Sequence, residues 1–347
     1  MEEWYESLID NGMVPDFALR LGVRLLSRVR LSSISQPSIE KEQETKMQYI
    51  QRLRESDIAI HTDKANEQHY EVPTGFIKAC LGKRMKYSAC LYPDESTTLD
   101  EAEELMLQLY CERAQVEDGM KLMDLGCGWG SLGLYMAEKY PKSSVTSLSN
   151  SRTQKEYIES IATEKCLHNI QVITGDVKDF DFEVKPEFDR ILSIEMFEHM
   201  KNYRHLFDKV SSWLKPQGKL FLQVFCHHNT PYDFDTEEGH SWMARYFFTG
   251  GTMPSLDLFL YFQDQLSIES HWYVDGKHYG RTSEDWLKTL DENRELALEH
   301  LREGYGGEEE ANKWFNRWRL FYLAVAETFN YGDGQIWGLG HYLFQKK

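Results

Sequence analysis

The chain has 347 residues, which is enough for one large α/β domain with an appendage or for two domains. It carries 39 Lys and Arg against 56 Asp and Glu, so its formal charge is −17. A negative field disfavours nucleic acid and anionic membrane surfaces as partners, and it favours a neutral or cationic small substrate. A surface that is acidic for solubility alone is the other interpretation.

The six cysteines indicate a reducing compartment, because they form no Cys-x-x-Cys pair and no zinc-like spacing. We therefore expect no metal site. The first residues lack both the basic start and the apolar core of a signal peptide, and no run approaches the roughly 18 apolar residues of a membrane span. These features predict a cytoplasmic protein without a membrane anchor.

Residues 1–118 are predicted to form an N-terminal helical region that ends in a segment covering a cofactor. Apolar residues recur at helical spacing from Trp4 to Arg54. These helices could cover a sheet face, touch the cofactor or mediate association, so a homodimer is one expectation. Residues 61–98 are rich in aromatic side chains and precede a helix whose start is marked by Thr98 and acids in the first turn.

A short apolar run followed by closely spaced glycines opens the second part of the chain. The stretch from Met123 to Gly130 predicts a strand, a tight turn and a helix N-terminus. Its glycines match the G-x-G-x-x-G pattern of dinucleotide sites, but the acid expected about twenty residues later is absent. Asp124 at the strand end would instead attract a cation such as a sulfonium. With that acid, the stretch resembles the first motif of class I S-adenosylmethionine-dependent methyltransferases.

Residues 119–347 alternate strand-like and helix-like segments, which predicts an α/β fold with a doubly wound, mostly parallel sheet. In such sheets ligands bind at the carboxyl ends of the strands. Residues 227–285 interrupt the alternation with many aromatic residues, and we interpret them as an insertion that caps the substrate. An ordinary contribution of those rings to the core is the alternative.

Polar residues follow the second and third predicted strands. The second strand leads to Asn150 and Gln154, which could contact ribose where an acid is usual in class I methyltransferases. The third strand leads to Asp176 and Val177, where a carboxylate could accept a hydrogen bond from an adenine amino group. A simple helix cap is the alternative for Asp176.

The fourth predicted strand ends in Glu195-Met196-Phe197-Glu198-His199. If a helix begins here, Glu195 shares a face with Glu198 and His199. Two carboxylates and an imidazole would then meet beside the cofactor, and such crowding perturbs pKa values and suits proton removal. The alternative is a solvated helix start whose acids are favoured by the helix dipole.

From about Asp63 to Lys347 the sequence resembles the coclaurine N-methyltransferase group, which comprises small-amine N-methyltransferases related to cyclopropane fatty acid synthases. The run Glu195 to Tyr203 is the most specific match. The resemblance implies a class I, Rossmann-like methyltransferase fold and S-adenosylmethionine as cofactor. It implies proton handling by Glu195, Glu198 and His199 and an amine pocket lined by Tyr70, Tyr279, Trp318 and Phe321. The expected cofactor contacts are Tyr87, Ser88, Asp124, Gly126, Gly128, Asn150, Gln154, Asp176, Val177 and Ile194.

The related synthases methylate an alkene carbon and, by resemblance, hold bicarbonate with a Cys, a Glu, a His and a Tyr. Glu198 and Tyr279 align with two of these residues, whereas Ala89 and Gln223 align with the Cys and the His. The sequence therefore favours N-methylation of a small alkaloid-like amine, of benzylisoquinoline, phenethylamine or tryptamine type. Carbon methylation or cyclopropanation of an unsaturated lipid and a silent cofactor-binding scaffold are the rival hypotheses.

Overall fold

The computed structural model describes residues 5–59, 72–234 and 242–347, so the expected pocket residue Tyr70 lies outside the described residues. Within them the chain forms nine strands. They are β1 (Lys121–Leu125), β2 (Ser144–Ser149), β3 (Ile170–Thr174), β4 (Phe188–Ile194), β5 (Leu214–His227), β6 (Tyr232–Asp233), β7 (Thr252–Met253), β8 (Leu266–Val274) and β9 (Trp337–Lys346).

Seven of the strands build one sheet in the order β3-β2-β1-β4-β5-β9-β8, while β6 and β7 pair separately. Neighbouring strands among β1 to β5 run parallel, whereas β9 is antiparallel to both β5 and β8. After β1 the chain moves outward to β2 and β3, and it then returns to place β4 on the other side of β1. The predicted doubly wound, mostly parallel sheet is confirmed, and its switch point lies between β1 and β4.

Helices cover both faces of this sheet, which is why its central strands are largely buried. From Leu220 to Cys226, for example, every residue of β5 is buried. The helices are α1 (Glu6–Asp10), α2 (Asp16–Ile34), α3 (Ile39–Glu55), α4 (Thr74–Lys78), α5 (Leu99–Arg113), α6 (Ser131–Lys139), α7 (Arg152–Glu164), α8 (Tyr203–Trp213), α9 (Trp242–Tyr246), α10 (Gly276–Glu292), α11 (Arg294–Tyr305) and α12 (Glu308–Asn330).

The N-terminal helices are attached to the C-terminal part of the chain. Arg20 on α2 donates hydrogen bonds to Glu284 on α10 and to Glu327 on α12. Arg317 on α12 makes a two-pronged ion pair with Asp10 on α1. None of the helices in the described ranges is long and apolar enough to cross a membrane.

The segment predicted as a cap insertion, 227–285, divides between two places. Its last part forms β8, the edge strand of the main sheet, and the start of α10. These residues therefore belong to the sheet and to a helix that covers it, and not to a separate cap. The sequence did not predict this strand, because its alternation of polar and apolar residues is weak. The preceding part contains β6, α9 and β7 and supplies aromatic side chains above the carboxyl ends of the strands.

The packing of α10 yields a prediction about two glycines on this helix. A Cβ at Gly276 would lie 2.0 Å from the carbonyl oxygen of Trp337 and 2.5 Å from that of Phe329. A Cβ at Gly280 would meet only the side chain of Asn330, an exposed residue that can move aside. Gly276→Ala should therefore lower the unfolding free energy by at least about 2 kcal/mol, whereas the control Gly280→Ala should change it by less than about 1 kcal/mol. Denaturant unfolding measures both, and equal stability of the two variants would contradict this packing.

Candidate active site

A cavity lies at the switch point of the sheet, where ligands of open α/β proteins bind. Its larger half contains about 870 Å³ of empty space, part of which is open to solvent. A second half extends over the ends of β1, β2 and β3. The two halves adjoin, because they share the lining residues Gly126, Gly128, Gln154, Met196 and His199.

The turn after β1 leaves room for a ligand. Gly126 and Gly128 have φ angles of 79° and 51°, a left-handed conformation that other residues rarely adopt. A Cβ at Gly128 would find no atom within 4 Å, so the backbone there faces open cavity. Asp124 is buried beside this turn and accepts a hydrogen bond from the Gly133 N–H at 2.9 Å. Burial raises the pKa of Asp124 to about 7, so a bound cation would favour its ionised form.

All ten residues expected to contact the cofactor line this cavity. The larger half includes Tyr87, Ser88, Asp124 and Ile194, and the half over β2 and β3 includes Asn150, Asp176 and Val177. The remaining three, Gly126, Gly128 and Gln154, line both halves. The Gln154 side chain is held by a 2.6 Å hydrogen bond from the Ser149 hydroxyl. This lining fits an extended, partly charged nucleoside such as S-adenosylmethionine. It combines a glycine turn without side chains, an acid at a strand end and polar groups at three strand ends.

Glu195 is the carboxylate at the centre of the larger half. Its Oε1 accepts hydrogen bonds from the Ala89 N–H at 3.1 Å and from the Gln223 side-chain amide at 2.8 Å. Its Oε2 accepts one from the Tyr279 hydroxyl at 3.0 Å. Desolvation raises the pKa of Glu195, while the nearby ammonium of Lys86 and these three donors act in the opposite direction. The carboxylate is therefore fixed in position and faces the cavity.

No α-helix begins at Glu195 in the described part of the chain, so the condition for a shared helix face is not met. Glu195 has a φ of 50° directly after β4, and only a single 3-10 turn follows at Phe197–His199. Glu195 and Glu198 consequently do not share a helix face. His199 does line both halves of the cavity, and its ring stacks on Phe248 with centroids 5.7 Å apart.

Glu198 is completely buried and does not line the cavity. Its Oε1 accepts a hydrogen bond from the Phe225 N–H at 2.8 Å, whereas its Oε2 is buried and has no partner among the described residues. Burial and the charge of Glu195 together raise the pKa of Glu198 well above its usual range. The two carboxyl groups thus form a coupled pair in which Glu195 faces the cavity.

Aromatic rings form the wall opposite the glycine turn. Of the residues expected in the amine pocket, Tyr279 and Phe321 line the cavity. Trp318 does not: its ring packs behind the wall against Phe76, Tyr87, Phe247 and Phe321, and it is fully buried. Phe225 and Phe248, which the sequence did not single out, complete the wall.

A second feature missed from the sequence is a buried polar line leading away from Glu195. Gln223 accepts a hydrogen bond from His341 at 2.6 Å, and His341 contacts the Arg113 guanidinium at 2.7 Å. The sequence signal for this line was Gln223, a polar residue among apolar neighbours in β5. Within the described parts of the chain, no group of three or more His, Cys, Asp or Glu side chains is arranged to hold a metal ion.

Comparison with known proteins identifies relatives over nearly the whole chain. The (S)-coclaurine N-methyltransferase of Thalictrum flavum subsp. glaucum is 41% identical over 98% of this chain and 94% of its own length. The (S)-coclaurine N-methyltransferase of Papaver somniferum is 39% identical over 99% and 98%, respectively. A crystal structure of coclaurine N-methyltransferase bound to N-methylheliamine and SAH superposes with a TM-score of 0.95 at 40% identity, and the match covers 98% of both chains.

The profile of the mycolic acid cyclopropane synthetase family matches residues 59–339. This match covers the sheet except for most of β9, and the full-length relatives add the N-terminal helices. The chain belongs to the mycolic acid cyclopropane synthetase family and, within it, to the coclaurine N-methyltransferase group of S-adenosylmethionine-dependent N-methyltransferases.

Proposed function

We propose that this enzyme methylates the nitrogen of a small primary or secondary amine of the benzylisoquinoline, phenethylamine or tryptamine type. One observation carries the proposal: Glu195 and His199 open into the same cavity as the cofactor-binding residues and face an aromatic wall. A carboxylate suits the ammonium group of an amine, and apolar aromatic rings suit its aromatic skeleton. The relatives named above are N-methyltransferases of (S)-coclaurine, as their names state.

The residues around the glycine turn would hold the cofactor. Gly126 and Gly128 allow its close approach to the backbone, and Asp124 can balance its positive charge. Asn150, Gln154 and Asp176 offer polar groups over the ends of β2 and β3. When bound, S-adenosylmethionine supplies an electrophilic methyl group.

The chain must remove a proton before the amine can react. An alkyl amine resembles lysine, whose pKa is about 10.4, so at neutral pH its nitrogen carries a proton in place of a free electron pair. Glu195 is fixed by three donors and attracts the ammonium. His199 lies at the junction of the two cavity halves, where it can take the proton as general base.

Glu198 would act from behind the cavity as the second member of the carboxyl pair. A buried carboxyl oxygen without a partner is costly, and such groups are kept where they serve a function. Because two nearby carboxylates repel each other, ionisation of Glu195 favours the protonated form of Glu198. We propose that Glu198 keeps its proton, so that the negative charge of the pair stays on Glu195 and balances the imidazolium that forms when His199 takes the proton of the amine.

The aromatic wall would favour the neutral amine once the proton has left. Phe225, Phe248 and Phe321 are apolar, so they stabilise the substrate skeleton without holding the ammonium form. Much of the remaining rate enhancement would come from holding the nitrogen in line with the transferred methyl group.

Two contacts disfavour the lipid-methylating alternative. Gln223 occupies the position of the synthase His, and its side chain is engaged by Glu195 and His341. At the position of the synthase Cys, Ala89 has no polar side chain, and its backbone N–H already donates a hydrogen bond to Glu195. Neither residue supplies a side chain to hold bicarbonate.

We also propose that the enzyme is a homodimer and cytoplasmic. On α2 and the turn before it, Met13, Phe17, Leu21, Leu25 and Val29 form an exposed row at four-residue spacing. Two such rows on antiparallel helices can interlock about a twofold axis. The cytoplasmic location is supported by the six unpaired cysteines, five of which are buried.

Substitutions at the carboxyl pair and the histidine test the proposed roles. With (S)-coclaurine as the probe amine, His199→Ala should lower kcat about 100-fold, because proton handling is lost. Glu198→Gln should keep near wild-type turnover, because a neutral amide replaces a carboxyl group that keeps its proton. Glu195→Gln should mainly raise the KM for the amine, because attraction of the ammonium is lost. Titration calorimetry should show unchanged cofactor binding in all three variants. If Glu198→Gln loses most turnover, Glu198 does not simply keep its proton and the proposed role is wrong.

The exposed row on α2 predicts the oligomeric state. Light scattering after size-exclusion chromatography should give twice the chain mass for the wild type and the single-chain mass for the double variant Leu21→Glu with Leu25→Glu. Leu296→Glu, at an exposed leucine on α11, is the matched control and should remain dimeric. A wild type that runs as a monomer would refute the proposed dimer.

A further inference from the structure

The line of polar side chains behind Glu195 crosses the sheet from one strand to the next. Gln223 on β5 pairs directly with His341 on β9, and His341 pairs with Trp272 on β8. Directly paired residues project from the same face of a sheet, so these three side chains lie side by side. Arg113, the last residue of α5, lies over this row with its guanidinium 4.9 Å from the centroid of the Trp272 ring.

The direction of each hydrogen bond in the line follows from Arg113. A guanidinium is only a donor, so His341 must accept through Nδ1. His341 is completely buried, and its burial together with the charge of Arg113 lowers its pKa well below the usual value. The neutral ring therefore carries its proton on Nε2 and donates it to Gln223 Oε1 at 2.6 Å.

The fixed histidine in turn orients the glutamine. With Oε1 accepting from His341, the Gln223 amide group must point its Nε2–H toward Glu195, which accepts it at 2.8 Å. A reversed amide would place an oxygen against the carboxylate. Arg113 thus fixes the orientation of His341 and, through it, that of Gln223, so that Gln223 donates a hydrogen bond to Glu195.

The surroundings of Arg113 support this role. The guanidinium is half-buried, and desolvation lowers its pKa. Among the described residues no carboxylate pairs with Arg113, so its main side-chain partners are the His341 ring and the Trp272 face. A desolvated guanidinium without an acid is costly, which argues against a simple surface ion pair.

We propose that Arg113, His341 and Gln223 form a positioning relay that keeps Glu195 ionised and aimed at the substrate cation. This inference rests on the proposed function for its effect on activity, whereas the relay itself can be observed without a substrate. If His341 no longer holds the Gln223 amide with its N–H toward Glu195, Glu195 loses this donor and should be easier to protonate. The acidic limb of the kcat/KM profile should then move to higher pH, since amine capture requires the carboxylate.

Other titratable groups also face Glu195, and the relay variants substitute none of them. The Tyr110 ring packs against His341 with centroids 5.6 Å apart, so a shift of the acidic limb is assigned to the relay when the His341 and Arg113 variants agree. These groups are Lys86 and Cys90 on the loop before α5, Tyr110 on α5, Glu198 on the 3-10 turn and Tyr279 on α10.

The first arm of the experiment observes His341 in the wild-type protein by ¹⁵N NMR of labelled histidine, with His341→Gln used to assign the signal. We expect a neutral ring protonated at Nε2 from pH 5.5 to 8. A ring that titrates near its ordinary pKa of about 6.5, or one protonated at Nδ1, would overturn the relay. This result does not depend on which substrate the enzyme uses.

The second arm compares kcat/KM profiles for (S)-coclaurine. His341→Leu should move the acidic limb upward by about one pH unit. At pH values below the limb, kcat/KM should therefore be about tenfold lower than in the wild type. His341→Gln, which can still donate to Gln223, should stay within about twofold of the wild type. An unshifted limb in His341→Leu would contradict the proposal.

Arg113→Met provides the same test if His341→Leu does not fold. It should also shift the limb upward, whereas Arg113→Lys should retain the wild-type profile. Unshifted limbs in both Arg113 variants would contradict the relay. If the wild type methylates no amine while the NMR signal shows the Nε2 tautomer, the proposed function fails and the relay geometry stands.

Discussion

The need to compensate for the desolvation of one partly buried carboxyl group organises the candidate active site. Glu195 loses hydration at the end of β4, and each group that compensates for this comes from a different part of the fold. The loop before α5 supplies the Ala89 N–H and the charge of Lys86, β5 supplies Gln223, and α10 supplies Tyr279. The site can therefore form only when the parallel sheet, the antiparallel edge and the C-terminal helices are all assembled. The left-handed backbone at Glu195 places its side chain where these groups converge.

The antiparallel extension of the sheet has a functional as well as an architectural role. Strand β9 closes the edge of β5 and brings His341 next to Gln223, while β8 places Trp272 beneath Arg113. The helix after β8 begins at Gly276, whose missing side chain allows close contact with β9 and α12 and thereby seats Tyr279. Phe321 on α12 then completes the aromatic wall. Under the proposed function, the parallel half of the sheet would provide the cofactor end of the cavity, and the antiparallel half would support the amine end.

The sequence could bring together the residues proposed for the cofactor end because their signals are local. An acid, spaced glycines and polar residues directly after short apolar strands lie within a few residues of one another, and Asp124, Gly126 and Asp176 line the cavity as expected. The helix considered at Glu195 does not form, because this residue has a positive φ that no local sequence pattern indicates. Gln223 and His341 are 118 residues apart, and an antiparallel pairing of that range cannot be deduced from periodicity. Family resemblance correctly pointed to the aromatic region but could not show that Trp318 lies behind Phe321.

Transfer of an isotope-labelled methyl group tests the central claim most directly. The purified enzyme would be incubated with labelled S-adenosylmethionine and a panel of benzylisoquinolines, phenethylamines and tryptamines, with an unsaturated phospholipid as the competing acceptor. The geometry of Glu195, His199 and the aromatic wall predicts that label appears on the nitrogen of at least one amine and is absent from the lipid. Label found only in the lipid would contradict the account and would favour the carbon-methylating chemistry of the wider family.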